Sequence, residues 1–217
     1  GDITLSSSKS ESNRALIMNA LSGNQLQLKN LSDARDTQTM QRLLSEKKPV
    51  WDVLDAGTTM RFCTAYLAIM GSGEIITGSD RMKERPIKPL VDALRKLGAK
   101  IDYITQEGFP PLRISAKKKE SQAQKISIPG HISSQYISAL LMIGPTLPDG
   151  ISIELTGEIF SRPYIEMTLA LMHHFGVKST WQGQTIHIKP QRYQAQSYTI
   201  ESDWSGASYW YSMVALN

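Results

Sequence analysis

Ser8-Lys9-Ser10-Glu11-Ser12-Asn13-Arg14 brings two cations, an amide and three hydroxyls into seven residues, a set suited to holding an anion. The apolar residues that follow, Ala15, Leu16, Ile17, Ala20 and Leu21, have the one-face spacing of a buried helix, and Ser10 or Ser12 is a natural N-cap for it. Unpaired N–H groups and the positive end of the helix dipole then lie beside Lys9 and Arg14. Lys9 and Asn13, four apart, share a face and are expected to reach one bound anion. The heptapeptide alone fits an ordinary capped helix with a solvated Lys and Arg equally well.

The elements that must position these residues form an internal repeat. Arg85-Pro86-Ile87 opens a predicted helix through Leu90, Val91, Leu94 and Leu97 that stops at Gly98. A strand from Ala99, a turn near Gly108-Phe109-Pro110 and a strand at Leu112-Arg113-Ile114 follow. Arg162-Pro163-Tyr164 repeats the pattern: a helix with Ile165, Leu169 and Met172 stops at Gly176, and a hairpin turns at Gln182-Gly183-Gln184. Small polar residues also open three further helices, at Asp55-Ala56-Gly57-Thr58-Thr59, at Gly130-His131-Ile132-Ser133-Ser134-Gln135 and at Asp203-Trp204-Ser205-Gly206. Their separation of roughly seventy to eighty residues is that of one supersecondary unit, so the chain reads as three copies, α/β in class. The first copy is short, because only Ser45-Glu46-Lys47-Lys48-Pro49 separates its helix, Asp36 to Leu44, from the strand Val50 to Leu54.

Equivalent helix starts that converge would build a phosphate pocket. Lys9, Arg14, Arg61, Arg81 and Arg85 are the cations available to complete it, unless Lys83-Glu84-Arg85 is merely a solvated loop. The four His and single Cys of the 217 residues form no metal-ligand or disulfide framework, and Cys63 reads as a reduced core thiol. No apolar run is long enough to span a bilayer, and the first residues lack a signal-peptide pattern, so a cytoplasmic setting without membrane contact is expected. The formal charge of +4 suits anionic partners. Lys117-Lys118-Lys119-Glu120 reads as a solvated loop, because no aromatic residues are interleaved for stacking on nucleic acid.

Five motifs taken together are more specific. Ser8-Lys9-Ser10-x-Ser12-Asn13-Arg14, Ala56-Gly57-Thr58-x-Met60-Arg61, Arg81-Met82-Lys83-Glu84-Arg85-Pro86, Ser133-Ser134-Gln135 and Ser161-x-Pro163-Tyr164 resemble, in order, the 5-enolpyruvylshikimate-3-phosphate synthase family of the shikimate pathway. The resemblance implies three βαβαββ-type units around parallel helices, one half of an inside-out α/β barrel. Residues 1–217 would then be an N-terminal, shikimate-3-phosphate-binding domain, with the family's C-terminal domain absent. It further implies that Ser10, Arg14, Ser133, Ser134, Gln135, Ser161 and Tyr164 hold shikimate 3-phosphate. Lys9, Gly57, Arg85 and Gln135 would hold phosphoenolpyruvate, with Lys9 and Arg85 stabilising charge in the reaction. No metal or organic cofactor is implied, and the family's acid and base groups come largely from the other domain.

Departures from the family pattern are Ser6-Ser7 in place of Pro-Gly, Asp55 in place of Asn, and Phe62 where many relatives have Pro. Asp55 should weaken anion binding unless it is paired with a cation or faces away. Phe62 leaves sensitivity to the inhibitor glyphosate open. Two other readings compete: the cell-wall enolpyruvyl transferase acting on UDP-N-acetylglucosamine, whose reactive Cys lies on a mobile loop unlike Cys63, and a non-catalytic anion-binding module.

Overall fold

A computed structural model describes residues 2–46, 48–71, 73–115 and 125–216. Lys117-Lys118-Lys119-Glu120 lies outside the described residues. In chain order the elements are α1 (Lys9–Leu21), β1 (Gln27–Lys29), α2 (Arg35–Glu46), β2 (Val50–Asp52), α3 (Gly57–Met70), β3 (Glu74–Thr77), the single turn α4 (Asp80–Lys83), α5 (Lys88–Lys96), β4 (Lys100–Tyr103) and β5 (Leu112–Ser115). They continue with β6 (Lys125–Pro129), α6 (Ser134–Ile143), β7 (Ile151–Thr156), α7 (Arg162–His174), β8 (Ser179–Gln182), β9 (Thr185–Ile188), β10 (Ser197–Thr199) and α8 (Trp204–Ala215).

Two units repeat completely. Their sheets have the orders β2-β3-β5-β4 and β6-β7-β9-β8; in each the first two strands are parallel and the returning hairpin is antiparallel. The helix that precedes each hairpin carries Pro in its first turn and is followed by a glycine at positive φ, Gly98 (+91°) after α5 and Gly176 (+83°) after α7. Only glycine takes that conformation without strain. The first of these helices begins at Lys88 with Pro89 in its first turn, a little later than Arg85-Pro86-Ile87 predicts.

The short unit is completed from the far end of the chain. β1 pairs in parallel with β10, Gln27 opposite Ser197 and Lys29 opposite Thr199, and Asn30 Nδ2 donates to the Ile200 carbonyl at 2.8 Å. β10 therefore takes the outer place that β2 and β6 hold in the other units. The helix equivalent to α3 and α6 is α1, and this corrects the sequence period, which equates them with α8. In α8 only Ala207 is buried, while Tyr209, Tyr211, Val214 and Leu216 are exposed.

The helices form a closed ring around one core. α1, α3 and α6 contact one another, with α2 between α1 and α3, α5 between α3 and α6, and α7 between α6 and α1. The central helices are therefore enclosed on nearly all sides; Gly57 to Ala68 of α3 and eight consecutive residues of α6, Tyr136 to Ile143, are buried. Leu16, Leu94 and Leu140 enter the core, but Leu169 is only half-buried, because α7 presents just Ile165, Thr168, Leu171 and Met172 inward. No described helix is long and apolar enough to cross a membrane. Leu140→Ala is expected to cost about 2–5 kcal/mol, as a fully enclosed leucine does. Leu169→Ala should cost clearly less, and urea unfolding of both variants measures the difference.

Candidate active site

The first turn of α1 is capped by Ser8, whose Oγ accepts from the Glu11 N–H at 3.3 Å, and not by Ser10 or Ser12. The cap is displaced because Ser12 is fully buried and its Oγ accepts from the Ser32 N–H at 2.9 Å. Ser10 is thereby left beside Lys9 at the helix mouth. Asn13 does not share an anion with Lys9: it is fully buried, and its Oδ1 accepts from the Thr37 hydroxyl of α2 at 2.9 Å. Lys9 instead leans toward Asp36, with Nζ 3.9 Å from Oδ2, a long and half-exposed contact of little energetic weight.

The starts of α1, α3, α6 and α8 meet at one pole, around a cavity of about 430 Å³. Lys9, Ser10, Arg14, Ser133, Ser134, Gln135 and Tyr164 line it, seven of the residues picked out in the sequence. Thr58, Asp203 and Ser205 line it too. All three lie in helix-opening segments legible from sequence, but nothing in their spacing assigns them to the cavity. Ser133 caps α6, accepting from the Gln135 N–H at 3.4 Å, and Asp203 caps α8 through the Ser205 N–H at 3.0 Å. Ser161 stands apart from the lining as the exposed left-handed residue before α7 (φ +54°).

Arg14 forms the floor. It is 2% exposed, with Nε donating to Thr168 Oγ1 at 2.7 Å, Nη1 to the Ser10 carbonyl at 2.8 Å and Nη2 to Ser138 Oγ at 3.0 Å. Its guanidinium lies over the rings of Phe62 (5.4 Å) and Tyr164 (5.8 Å), so Phe62 serves as a platform for a cation. Burial lowers its pKa to about 10, against the upward pull of Tyr164 and Glu11. The unfolded chain thus binds more protons than the folded one only in a window that opens at about pH 10. At neutral pH the desolvation cost is fully present, and it is relieved as pH rises through that window. Of the five guanidinium N–H groups three are used within the protein, which leaves hydrogen-bonding capacity for a ligand.

A second cation adjoins the cavity. Gln135 Nε2 donates to Thr58 Oγ1 at 3.0 Å, and beside Thr58 the Arg85 guanidinium rests on Gly57. A Cβ at Gly57 would stand 2.9 Å from Arg85 Cζ and Nη2, closer than real contacts allow. Partial burial lowers the Arg85 pKa, and repulsion from Arg61 and Arg81 lowers it further, while Tyr136 and Asp36 act in the opposite sense. Arg61 is buried behind it, donating from Nη1 to the Gly57 carbonyl at 2.8 Å. Asp55 accepts a hydrogen bond from the Ser79 hydroxyl.

A larger cavity, about 710 Å³, opens at the opposite end of the bundle among Pro145, Pro148 and Pro190. Two of its polar side chains serve the backbone, the Tyr193 hydroxyl donating to the Met142 carbonyl and Thr146 Oγ1 to the Ile143 carbonyl, both at 2.7 Å, and Arg192 is the one cation in its lining. Among the described residues, several cations converge only at the pole of Lys9, Arg14 and Arg85.

Repeated α/β units closed around parallel helices, with cations and hydroxyls gathered at the helix starts, define one half of an enolpyruvyl-transferase type of architecture. The chain belongs to the EPSP synthase (3-phosphoshikimate 1-carboxyvinyltransferase) family, whose match covers residues 1–50 and 41–217. It is 54% identical over 216 residues to a 3-phosphoshikimate 1-carboxyvinyltransferase of Bacteroides fragilis strain YCH46, covering 99% of this chain and 52% of that protein. A relative of the same name from Actinobacillus pleuropneumoniae serotype 5b is 40% identical over 248 aligned positions, covering 100% of this chain and 57% of that protein. The solved EPSP synthase of Acinetobacter baumannii shares the fold, with a TM-score of 0.82 at 18% identity over 96% of this chain and 51% of that one. The chain spans about half the length of the curated relatives it matches. The nearly one-to-one alignment with the Bacteroides protein leaves no room there for a further hairpin, so the short first unit is common to both.

Gly57→Ala should force the Arg85 guanidinium off its seat while barely moving the urea midpoint, because the far end of a flexible side chain yields easily. Titration calorimetry with inorganic phosphate, a probe of the anion pole, is expected to show weaker binding by the variant than by the parent.

Proposed function

We propose that the protein to which this chain belongs transfers the enolpyruvyl group of phosphoenolpyruvate to the 5-hydroxyl of shikimate 3-phosphate and releases inorganic phosphate. Residues 1–217 act as its N-terminal domain, carrying the shikimate 3-phosphate site and part of the phosphoenolpyruvate site. The observation that carries this reading is the seating of Arg85 on Gly57, joined through Thr58 and Gln135 to the hydroxyl-lined cavity above Arg14. A phosphate monoester suits Ser10, Ser133, Ser134 and the N-terminal end of α6, with Arg14 beneath and Tyr164 at the rim. The smaller ligand, with its carboxylate and phosphate, suits Lys9, Gln135 and Arg85.

The reaction adds the 5-hydroxyl to the vinyl carbon, protonates the methylene, and then expels phosphate. Within this chain Lys9 and Arg85 stabilise negative charge on the reacting phosphate and carboxylate, and Gly57 keeps Arg85 close by having no Cβ. Proton transfer needs an acid and a base, and these come from the length that the relatives have beyond this chain. The soluble substrates fit a cytoplasmic protein with no membrane or nucleic-acid partner.

In the full-length protein Arg85→Ala should mainly raise KM for phosphoenolpyruvate, and Arg14→Ala should mainly raise KM for shikimate 3-phosphate. Each should cost about 2–3 kcal/mol, as loss of a charged hydrogen-bonding partner does. Steady-state kinetics with each substrate varied in turn distinguishes them, and an effect of both on the same substrate alone would refute the assignment. The 217-residue chain by itself should bind shikimate 3-phosphate weakly in calorimetry and release no phosphate with both substrates, since half of the enclosing site is missing.

A further inference from the structure

Arg85 sits at the end of an exposed turn after α4, and Arg61 and Arg81 both repel it. A long side chain placed so would swing into solvent unless the turn beneath it were fixed. The Arg85 N–H donates to the Met82 carbonyl at 3.1 Å, which shapes the turn but does not tie it to the cavity. The tie is made one residue on. The Pro86 carbonyl accepts from the Tyr136 hydroxyl at 2.6 Å, whereas Arg61 Nη2 reaches the same oxygen only at 3.5 Å.

Tyr136 is 6% exposed and lies in the first turn of α6, next to Gln135, which is bonded to Thr58. Its ring lies 5.5 Å from the Arg61 guanidinium, and Arg61 in turn holds the Gly57 carbonyl. The first turn of α6 therefore grips the seat of Arg85 through Gln135 and Thr58, and the turn that delivers Arg85 through Tyr136 and Pro86. We infer that Tyr136 is a positioning residue, whose hydroxyl latches the Arg85-Pro86 turn of one unit to the cavity-forming helix of the next and so holds Arg85 over Gly57. This rests on the phosphoenolpyruvate site proposed above.

Tyr136→Phe keeps the ring, its packing and its contact with Arg61, and removes only the O–H. In the full-length protein it should raise KM for phosphoenolpyruvate about three- to tenfold, the range one neutral hydrogen bond supports. KM for shikimate 3-phosphate and the urea midpoint should stay close to the parent's. In an Arg85→Ala background the same change should add nothing, because the residue it positions is gone. An unchanged KM for phosphoenolpyruvate would overturn the inference, and so would a loss of equal size with and without Arg85, which marks a merely structural role. If the parent releases no phosphate from the two substrates, the proposed reaction fails. The latch is then judged by phosphoenolpyruvate titration of the parent and of Tyr136→Phe, where equal affinities refute it and weaker binding by the variant supports it.

Discussion

A buried guanidinium bonded to hydroxyls and a carbonyl, with no carboxylate in ion-pair contact among the described residues, is the constraint that the rest of this structure serves. Arg14 ends where α1, α6 and α7 meet, and a charge so placed costs several kcal/mol unless its donors are satisfied. Hydroxyls of Ser138 and Thr168 satisfy it, and the faces of Phe62 and Tyr164 cover it. Ser138 and Thr168 also bond each other at 2.8 Å, so the polar floor is one network that fixes the relative position of α6 and α7. A carboxylate in their place would neutralise the cation and remove its attraction for a phosphate. Hydroxyl groups leave the charge available. The same logic explains Phe62, which supports Arg14 from α3 without altering its charge.

Much of this was legible in the sequence because its signals are local. The proline in the first turn and the glycine after the end mark α5 and α7, and the apolar stripes mark the faces they bury. The five motifs identify the pole at which the helices begin, and eight of the residues they contain line one cavity. The exact cap of α1 was not legible. Ser8, Ser10 and Ser12 are equivalent by composition, and only the burial of Ser12 against Ser32 selects among them.

The partners of side chains were less legible still, since they depend on the packing of distant segments. Asn13 turns inward to Thr37, Asp55 turns to Ser79 and Arg14 sinks below the cavity, each because a neighbour far along the chain offers a hydroxyl. Periodicity misled in one respect. The segment opening at Asp203 matches the spacing of the other helix starts, but strand pairing gives that place in the ring to α1. Sequence period reports equivalence of pattern, whereas hydrogen bonding between β1 and β10 determines which equivalent is used.

The pairing of β1 with β10 also sets the order in which the molecule can be assembled. A chain made from its N-terminus can close the sheets of the second and third units from contiguous sequence. The first unit has to wait for residues near position 200, since its outer strand is made last. The entropy of closing so long a loop grows only logarithmically with its length, so the cost is borne less in stability than in time, as with any contact of high sequence separation. Until then α1, with Lys9, Ser10 and Arg14, lacks the strand that anchors its unit. Among these 217 residues the anion pole is therefore completed late, and the second and third units can already be structured while the pole is still without its site.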